Sequence, residues 1–408
     1  MLEGTDGTHG GPCSSRHGFF HLERRFRDST LRERLAGRFD VFLGDCSDTI
    51  LELAGQGRVV ALVLGGSLAT GEGSVAFRSG RPLFLSDIDF LVVAGDVSAH
   101  SCIYPRRAEI GEACENLFPE AEFMGRVDVG VLVPEELGGL PRSPGVYDMR
   151  HAGRVLNGDG SVIELIPDFH PSAIGPHEAL RLLENRMAAF LGDWPGEDGP
   201  ADEGRTLGFL YSLCRVYTDI LTAALVCDGR YEPGYEARYR EVSCGGERTP
   251  EGLDEEIIGK IGAWTRFKLE PSIEGATLIK AGQAGTWLEA ATDISDFRKA
   301  VASRISSDKD ARENGSPLGT IRSWKVFLGS MSLADAARVL AGRLPSLPGR
   351  DPLRVVRDEA VRLLDLAVEG GSGKDVGGCP GGFPYSGGTW GEAARELNAA
   401  WKRLVFGR

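Results

Sequence analysis

The sequence predicts an α+β protein, with a strand-bearing unit in the first 170 residues and a mostly helical remainder. Two observations predict it. Apolar runs of strand length recur early, at residues 58–64, 86–93 and 125–133. They are too short for helices and are bounded by Gly and Ser. Beyond residue 170 the apolar residues recur at helical spacing instead. The chain has 408 residues and is 42% hydrophobic, enough for two cores.

Residues 1–18 are rich in Gly, Ser and His and are expected to be a disordered leader, whose His9 and His17 would bind metal only adventitiously. Residues 30–54 read as a helix, with Leu31, Leu35, Phe39, Phe42 and Leu43 at helical spacing. The strand at 58–64 runs directly into Gly65-Gly66-Ser67-Leu68-Ala69-Thr70-Gly71. Glycines let the backbone approach a ligand closely and leave amide N–H groups for phosphate oxygens. Ser67 adds a hydroxyl, and a helix starting near it would favour an anion further. The strand at 86–93 opens with Ser86-Asp87-Ile88-Asp89. Residues i and i+2 of a strand share a face, so Asp87 and Asp89 aim at one point. Two such carboxylates repel unless one is protonated, and a divalent cation such as magnesium removes that conflict.

Gly66-Ser67, then Asp87-Ile88-Asp89, then a later strand acid resembles the signature of the DNA polymerase β-like nucleotidyltransferase superfamily, over residues 55–160. The third acid is Asp128, the single carboxylate in the run 125–133. The resemblance implies a nucleotidyltransferase-fold mixed sheet flanked by helices, with the three acids on adjacent strands. It implies transfer of a nucleoside monophosphate from a nucleoside triphosphate, with ATP the expected donor, and release of pyrophosphate. Asp87 and Asp89 would hold one Mg2+ on the triphosphate and, with Asp128, a second beside the attacking oxygen. Asp128 would also be the candidate base, and Gly65, Gly66 and Ser67 the phosphate cradle. The segment 154–159 is similar to the edge strand and turn that close minimal domains of this kind.

The pattern departs from that superfamily in one place. Nineteen residues, 68–86, separate Ser67 from Asp87, more than in its smaller members. The extra length alternates at 74–85 around a Ser-Gly turn, a β-hairpin that would either touch substrate or lie idle on the surface. Thr70 stands where a basic residue often follows the Gly-Ser pair, and Arg78 or Arg81 are candidates to compensate. Glu109, Glu112, Glu115, Glu120 and Glu122 compete with Asp128, but most lie on a helix-like stretch at 105–117 and read as its solvated face.

Taken together, the organisation is a catalytic unit at 19–170, a helical unit at 171–368, and a Gly-rich linker with a final helix at 369–408. Helices are expected at 176–191, 206–227, 286–305, 332–344, 352–368 and 390–405, with 313–317 a loop. Asp228-Gly229-Arg230-Tyr231 reads as the C-cap turn of the second. Arg186 is either a cleft residue or a surface charge. Tyr231, Tyr235 and Arg238 either line an acceptor pocket or pack an inter-helix loop. Gly370-Gly371-Ser372-Gly373-Lys374 fails as a triphosphate loop, since Val368 and Asp375 break the motif.

The net charge of −13 argues against a polymeric nucleic acid partner, because neutralising phosphate dominates such binding. A small molecule or a protein is the expected acceptor. The first residues lack the apolar core of a secretory signal, and no run reads as membrane-spanning, so a cytoplasmic protein with no membrane partner is expected. The eight cysteines include no Cys-x-x-Cys pair and are expected to be free thiols. Three functions fit: a transferase acting on a small molecule or protein, a synthase joining nucleotides into a second messenger, or a catalytically silent nucleotide-binding module. Nothing in the C-terminal half specifies an acceptor.

Overall fold

The computed structural model describes residues 29–79, 81–119, 121–195, 202–243, 249–279, 282–307, 352–368 and 390–406. The expected leader, the 313–317 loop, the 332–344 helix and nearly all of the Gly-rich linker lie outside the described residues. The architecture is α+β. Helix α1 (Ser29–Ala54) leads into strand β1 (Val59–Leu64) and the single turn α2 (Gly66–Ala69). Next come β2 (Val75–Arg78), β3 (Arg81–Phe84), β4 (Ile88–Ala94), α3 (Val97–Ile103) and α4 (Arg107–Glu115). The sheet unit closes with β5 (Glu122–Phe123), β6 (Val127–Leu132), α5 (Pro134–Leu137), α6 (Pro144–Ala152) and β7 (Arg154–Gly158). The helical unit comprises α7 (Pro176–Leu191), α8 (Glu203–Cys227), α9 (Tyr235–Ser243), α10 (Glu255–Leu269), α11 (Gly282–Ser307), α12 (Pro352–Leu366) and α13 (Trp390–Phe406).

The larger sheet has the order β6-β4-β1-β7. Strand β1 is antiparallel to β4 and β7, whereas β4 and β6 are parallel, so the sheet is mixed. A parallel pair needs a crossover, which α3, α4 and β5 supply. Strand alternation then sorts the side chains. Ile88, Phe90, Val92 and Ala94 join Val127, Val129 and Val131 in a core with Phe39, Phe42, Leu43, Cys46 and Ile50 of α1. Leu91 and Val93 face the other way, onto Leu137, Val162 and Ile166. Period two places Asp89 and Asp128 on that second face, at the strand beginnings.

The expected hairpin at 74–85 exists, and it is no idle surface feature. β2 pairs antiparallel with β3, which pairs parallel with β5 in a separate three-stranded sheet. Val75 and Phe84 belong to the core beneath the larger sheet. Ala76, Leu83 and Leu85 belong to the core of the helical unit. The insertion is therefore a wedge with one apolar face in each unit.

The helical unit is built around α8, which lies almost wholly in the interior. Its start is capped by Asp202, whose carboxylate accepts from Arg205 N–H at 3.0 Å. Its end is the expected C-cap turn: Gly229 has φ of +68°, and Arg230 N–H donates to the Leu225 carbonyl at 2.9 Å. By length and composition α8 is apolar enough to cross a membrane, against the reading that no run reaches that span. However, 83% of that window is buried inside the protein, as in the core helix of a globular unit. Trp287 of α11 closes the far side, stacked on Phe190 with ring centroids 4.9 Å apart. Cys46, Cys102, Cys114, Cys214 and Cys227 are free; the other three cysteines lie outside the described residues.

Candidate functional site

The sheet side of the site is assembled by register. β4 and β6 run parallel with Asp89 directly opposite Asp128. Asp87 stands two residues before Asp89, just ahead of the strand, and its Oδ1 accepts from Arg126 N–H at 3.1 Å. At the neighbouring strand end, Gly65 N–H donates to the Asp89 carbonyl at 2.8 Å, which brings the glycine turn against the acids. Gly66 has φ of +62°, and a Cβ there would sit 2.1 Å from Asp89 Oδ2. Glycine is thus required twice over, by its backbone conformation and by the carboxylate leaning on it. Ser67 is half-buried in α2, and its carbonyl accepts from the Thr70 hydroxyl and from Glu72 N–H. Thr70 is therefore spent on closing its own turn.

Electrostatics mark Asp89 as the strained group. Burial, then the neighbouring charges of Asp87 and Asp128, push its carboxyl up to about 7, while Arg215 and Lys268 pull the other way. The donor set suits a divalent cation, because hard carboxylate oxygens bind one and its charge would offset that repulsion. In the arrangement described, no three His, Cys, Asp or Glu side chains among the described residues stand close enough to hold an ion. Asp89 leans onto Gly66, and Asp87 accepts from Arg126 N–H.

The opposite side comes from the helical unit, where Lys268, Tyr211 and Arg215 carried no signal in the sequence. Lys268 of α10 is 2% exposed. Its Nζ donates to Ser86 Oγ at 2.8 Å and to Tyr211 OH at 3.2 Å, and it lies over the rings of Tyr211 and Tyr235 at 5.1 and 4.9 Å. Ser86 Oγ also accepts from Ser74 N–H, and Ser74 Oγ donates to the Lys268 carbonyl. Both ends of the hairpin wedge are thereby pinned to one lysine, immediately before Asp87. Arg215 of α8 is half-buried beside Tyr211. Burial opposes its charge, but Tyr211, Asp87, Asp219 and Tyr235 outweigh that and raise its pKa.

Other expected contacts fall elsewhere. Arg78 pairs with Glu122 at 2.9 Å, and Arg81 donates to the Pro119 carbonyl, so both hold the small sheet together and neither serves the glycine turn. Of the competing acids, Glu109 pairs with Arg106, Glu115 accepts from Val127 N–H, and Glu122 is held by Arg78. Arg186 is no surface charge: its Nε donates to Asp219 Oδ2 at 2.6 Å in a mostly buried pair. Tyr231 and Arg238 are packed, at 1% and 5% exposed, and both bond Asp148 of α6. Of the three candidate acceptor residues, Tyr235 alone stays half-buried beside Lys268. Glu72, which no motif flagged, is buried and accepts from Tyr235 N–H and Glu236 N–H at the start of α9. It ties the glycine turn to the helical unit.

No family model, no curated protein and no solved structure matches the chain. The site must therefore be read from its own residues.

Proposed function

We propose that the chain is a magnesium-dependent nucleotidyltransferase of the DNA polymerase β-like kind, moving a nucleoside monophosphate from a triphosphate to a hydroxyl of a small molecule or protein. One observation carries the reading: the parallel β4–β6 register that sets Asp89 opposite Asp128, with Asp87 on the same corner and the Gly65-Gly66-Ser67 turn bonded to it. The mixed order β6-β4-β1-β7 supports the corresponding fold, since Asp89 and Asp128 lie on neighbouring strands with Asp87 just ahead of one of them.

Asp87, Asp89 and Asp128 would hold the cations. Bound there, magnesium would supply Lewis-acid stabilisation of the phosphoryl charge. The chain's own residues supply the rest. Ser67 offers a hydroxyl, and the Gly66-Ser67 backbone its N–H groups, to phosphate oxygens. Asp128 is the group placed to take the acceptor's proton. Lys268 fixes Ser86 and so the approach to Asp87. The helical unit closes the cleft through Tyr211, Tyr235 and Arg215, where an acceptor would be selected.

The test is turnover of each of the four nucleoside triphosphates with magnesium and a metabolite mixture, read by mass spectrometry beside an Asp87→Ala/Asp89→Ala variant. Pyrophosphate release with a product heavier by one nucleoside monophosphate, absent in the variant, supports the reading. Linked nucleotides as the only product would make the protein a second-messenger synthase. Tight triphosphate binding without any product, from metabolite or protein extracts alike, would make it a silent module.

A further inference from the structure

Resting on the nucleotidyltransferase reading, we infer that Glu72 is a positioning residue: its carboxylate, bonded to the first turn of α9, holds Ser67 in place for the donor's phosphates. The single turn α2 ends in a Schellman arrangement. Gly71 takes a φ of +78°, its N–H donates to the Leu68 carbonyl at 3.1 Å, and Glu72 N–H donates to the Ser67 carbonyl at 2.7 Å. The Thr70 hydroxyl donates to the same carbonyl at 3.0 Å. Ser67, whose own hydroxyl would meet phosphate, is thus held through its backbone by residue 72.

The second residue past such a helix end commonly carries an apolar side chain that packs back on the helix. Here it carries a carboxylate that is 2% exposed. Burying a carboxylate is costly unless it is bonded, and an apolar side chain would close the turn without that cost. No basic side chain forms an ion pair with Glu72 among the described residues. Its two oxygens accept instead from Tyr235 N–H and from Glu236 N–H, the latter at 3.0 Å. These are the first two residues of α9, where the helix favours a negative charge. Gly234, with φ of +84°, lets the chain pass closely over the same carboxylate: a Cβ there would sit 3.1 Å from Oε2. What the acid contributes is therefore placement. The Tyr235 ring lies 4.9 Å from Lys268 Nζ, which bonds Ser86 just before Asp87. The start of α9 is thus the common reference for the glycine turn, through Glu72, and for the acid corner, through Lys268.

The probes are the four magnesium nucleoside triphosphates, titrated into the full chain by calorimetry, with donor KM and kcat measured for any that is turned over. Glu72→Gln keeps the size of the side chain but loses its charge and puts a donor where one acceptor stood. It should weaken triphosphate binding and raise donor KM roughly 10-fold, as loss of a charge-assisted bond does, with kcat little changed. A bond of merely structural value would lower the folded fraction, and with it the apparent kcat, without moving KM. Ser67→Ala should weaken binding as well. The double variant should then bind only about twofold worse than the weaker single variant, because a hydroxyl already removed cannot be misplaced. If Glu72→Gln folds poorly, Glu72→Asp carries the test: it keeps the charge, falls one methylene short of α9, and should raise donor KM while melting close to wild type. Undiminished affinity in a well-folded Glu72→Gln overturns the inference, and so do losses that simply multiply in the double variant; both leave the parent reading intact in a wild type that turns over triphosphate. A wild type that neither binds nor turns over any triphosphate removes the reading and the inference together.

Discussion

The two sides of the candidate site solve opposite electrostatic problems. On the sheet wall three like charges, Asp87, Asp89 and Asp128, are crowded onto adjacent strand beginnings, and Asp89 is pushed up to about 7. On the helical wall a lysine is sealed in the interior with no carboxylate at ion-pair distance among the described residues, held by two hydroxyls and two aromatic rings. One wall stores repulsion that a bound cation would relieve. The other satisfies its charge internally, so it can act as a rigid reference. The acids are thus left electrostatically unfinished, while Lys268, which pins the hairpin beside them, is fully bonded.

Substitutions on each side test that contrast. The largest effect is expected on the unfinished wall. Asp89→Ala should lower turnover by on the order of 10³-fold, about 4 kcal/mol of barrier, with circular dichroism unchanged; a variant that keeps half its activity would exclude the triad as the reaction centre. The finished wall should respond through stability instead. Leu83→Ala removes a wedge side chain, 2% exposed, from the helical core. It should cost about 2–4 kcal/mol in urea unfolding, and a loss below half a kcal/mol would mean the hairpin does not join the two units. Glu72→Ala strips two backbone donors at the start of α9. That should cost roughly 1–2 kcal/mol, with a larger rise in KM than the surface variant below.

Asp148 gives the junction a pH dependence. Burial, opposed by Arg238, Tyr231 and His151, raises its carboxyl above the usual range. The folded protein then holds a proton that the unfolded chain has already released, so this term lowers stability as pH rises through and above the carboxylate range. Urea midpoints from pH 4 to 8 should show that decline in the wild type and less of it in Asp148→Asn; parallel curves would acquit Asp148. The smallest effect belongs to Arg78→Ala, which loses a partly exposed pair with Glu122. It should cost no more than about 1 kcal/mol and leave activity intact, and a large activity loss would return Arg78 to the site.

Legibility followed sequence distance. Asp87, Asp89 and the Gly65-Gly66-Ser67 turn could be read because strand alternation and glycine chemistry act within a few residues. Helices 176–191 and 206–227 and the hairpin were equally plain, since each writes its period locally. Arg215 and Lys268 were invisible: on their own helices they are ordinary basic residues, and their neighbours lie far off in the chain, 182 positions separating Lys268 from Ser86. Arg78 and Arg81 lie near the acids in sequence only: Glu122 pairs with both of their side chains. The membrane-length helix was passed over because only its burial distinguishes a core helix from a spanning one.

Short-range periodicity and backbone sterics fix the elements, the acid pair and the glycine turn before the chain collapses, so all three can be read along the chain. Long-range packing set Asp128 beside Asp89, made the hairpin a wedge, and brought Lys268 and Arg215 into the field of the acids. Those are matters of strand register and helix packing, settled when distant apolar faces bury one another and carry their charged neighbours with them.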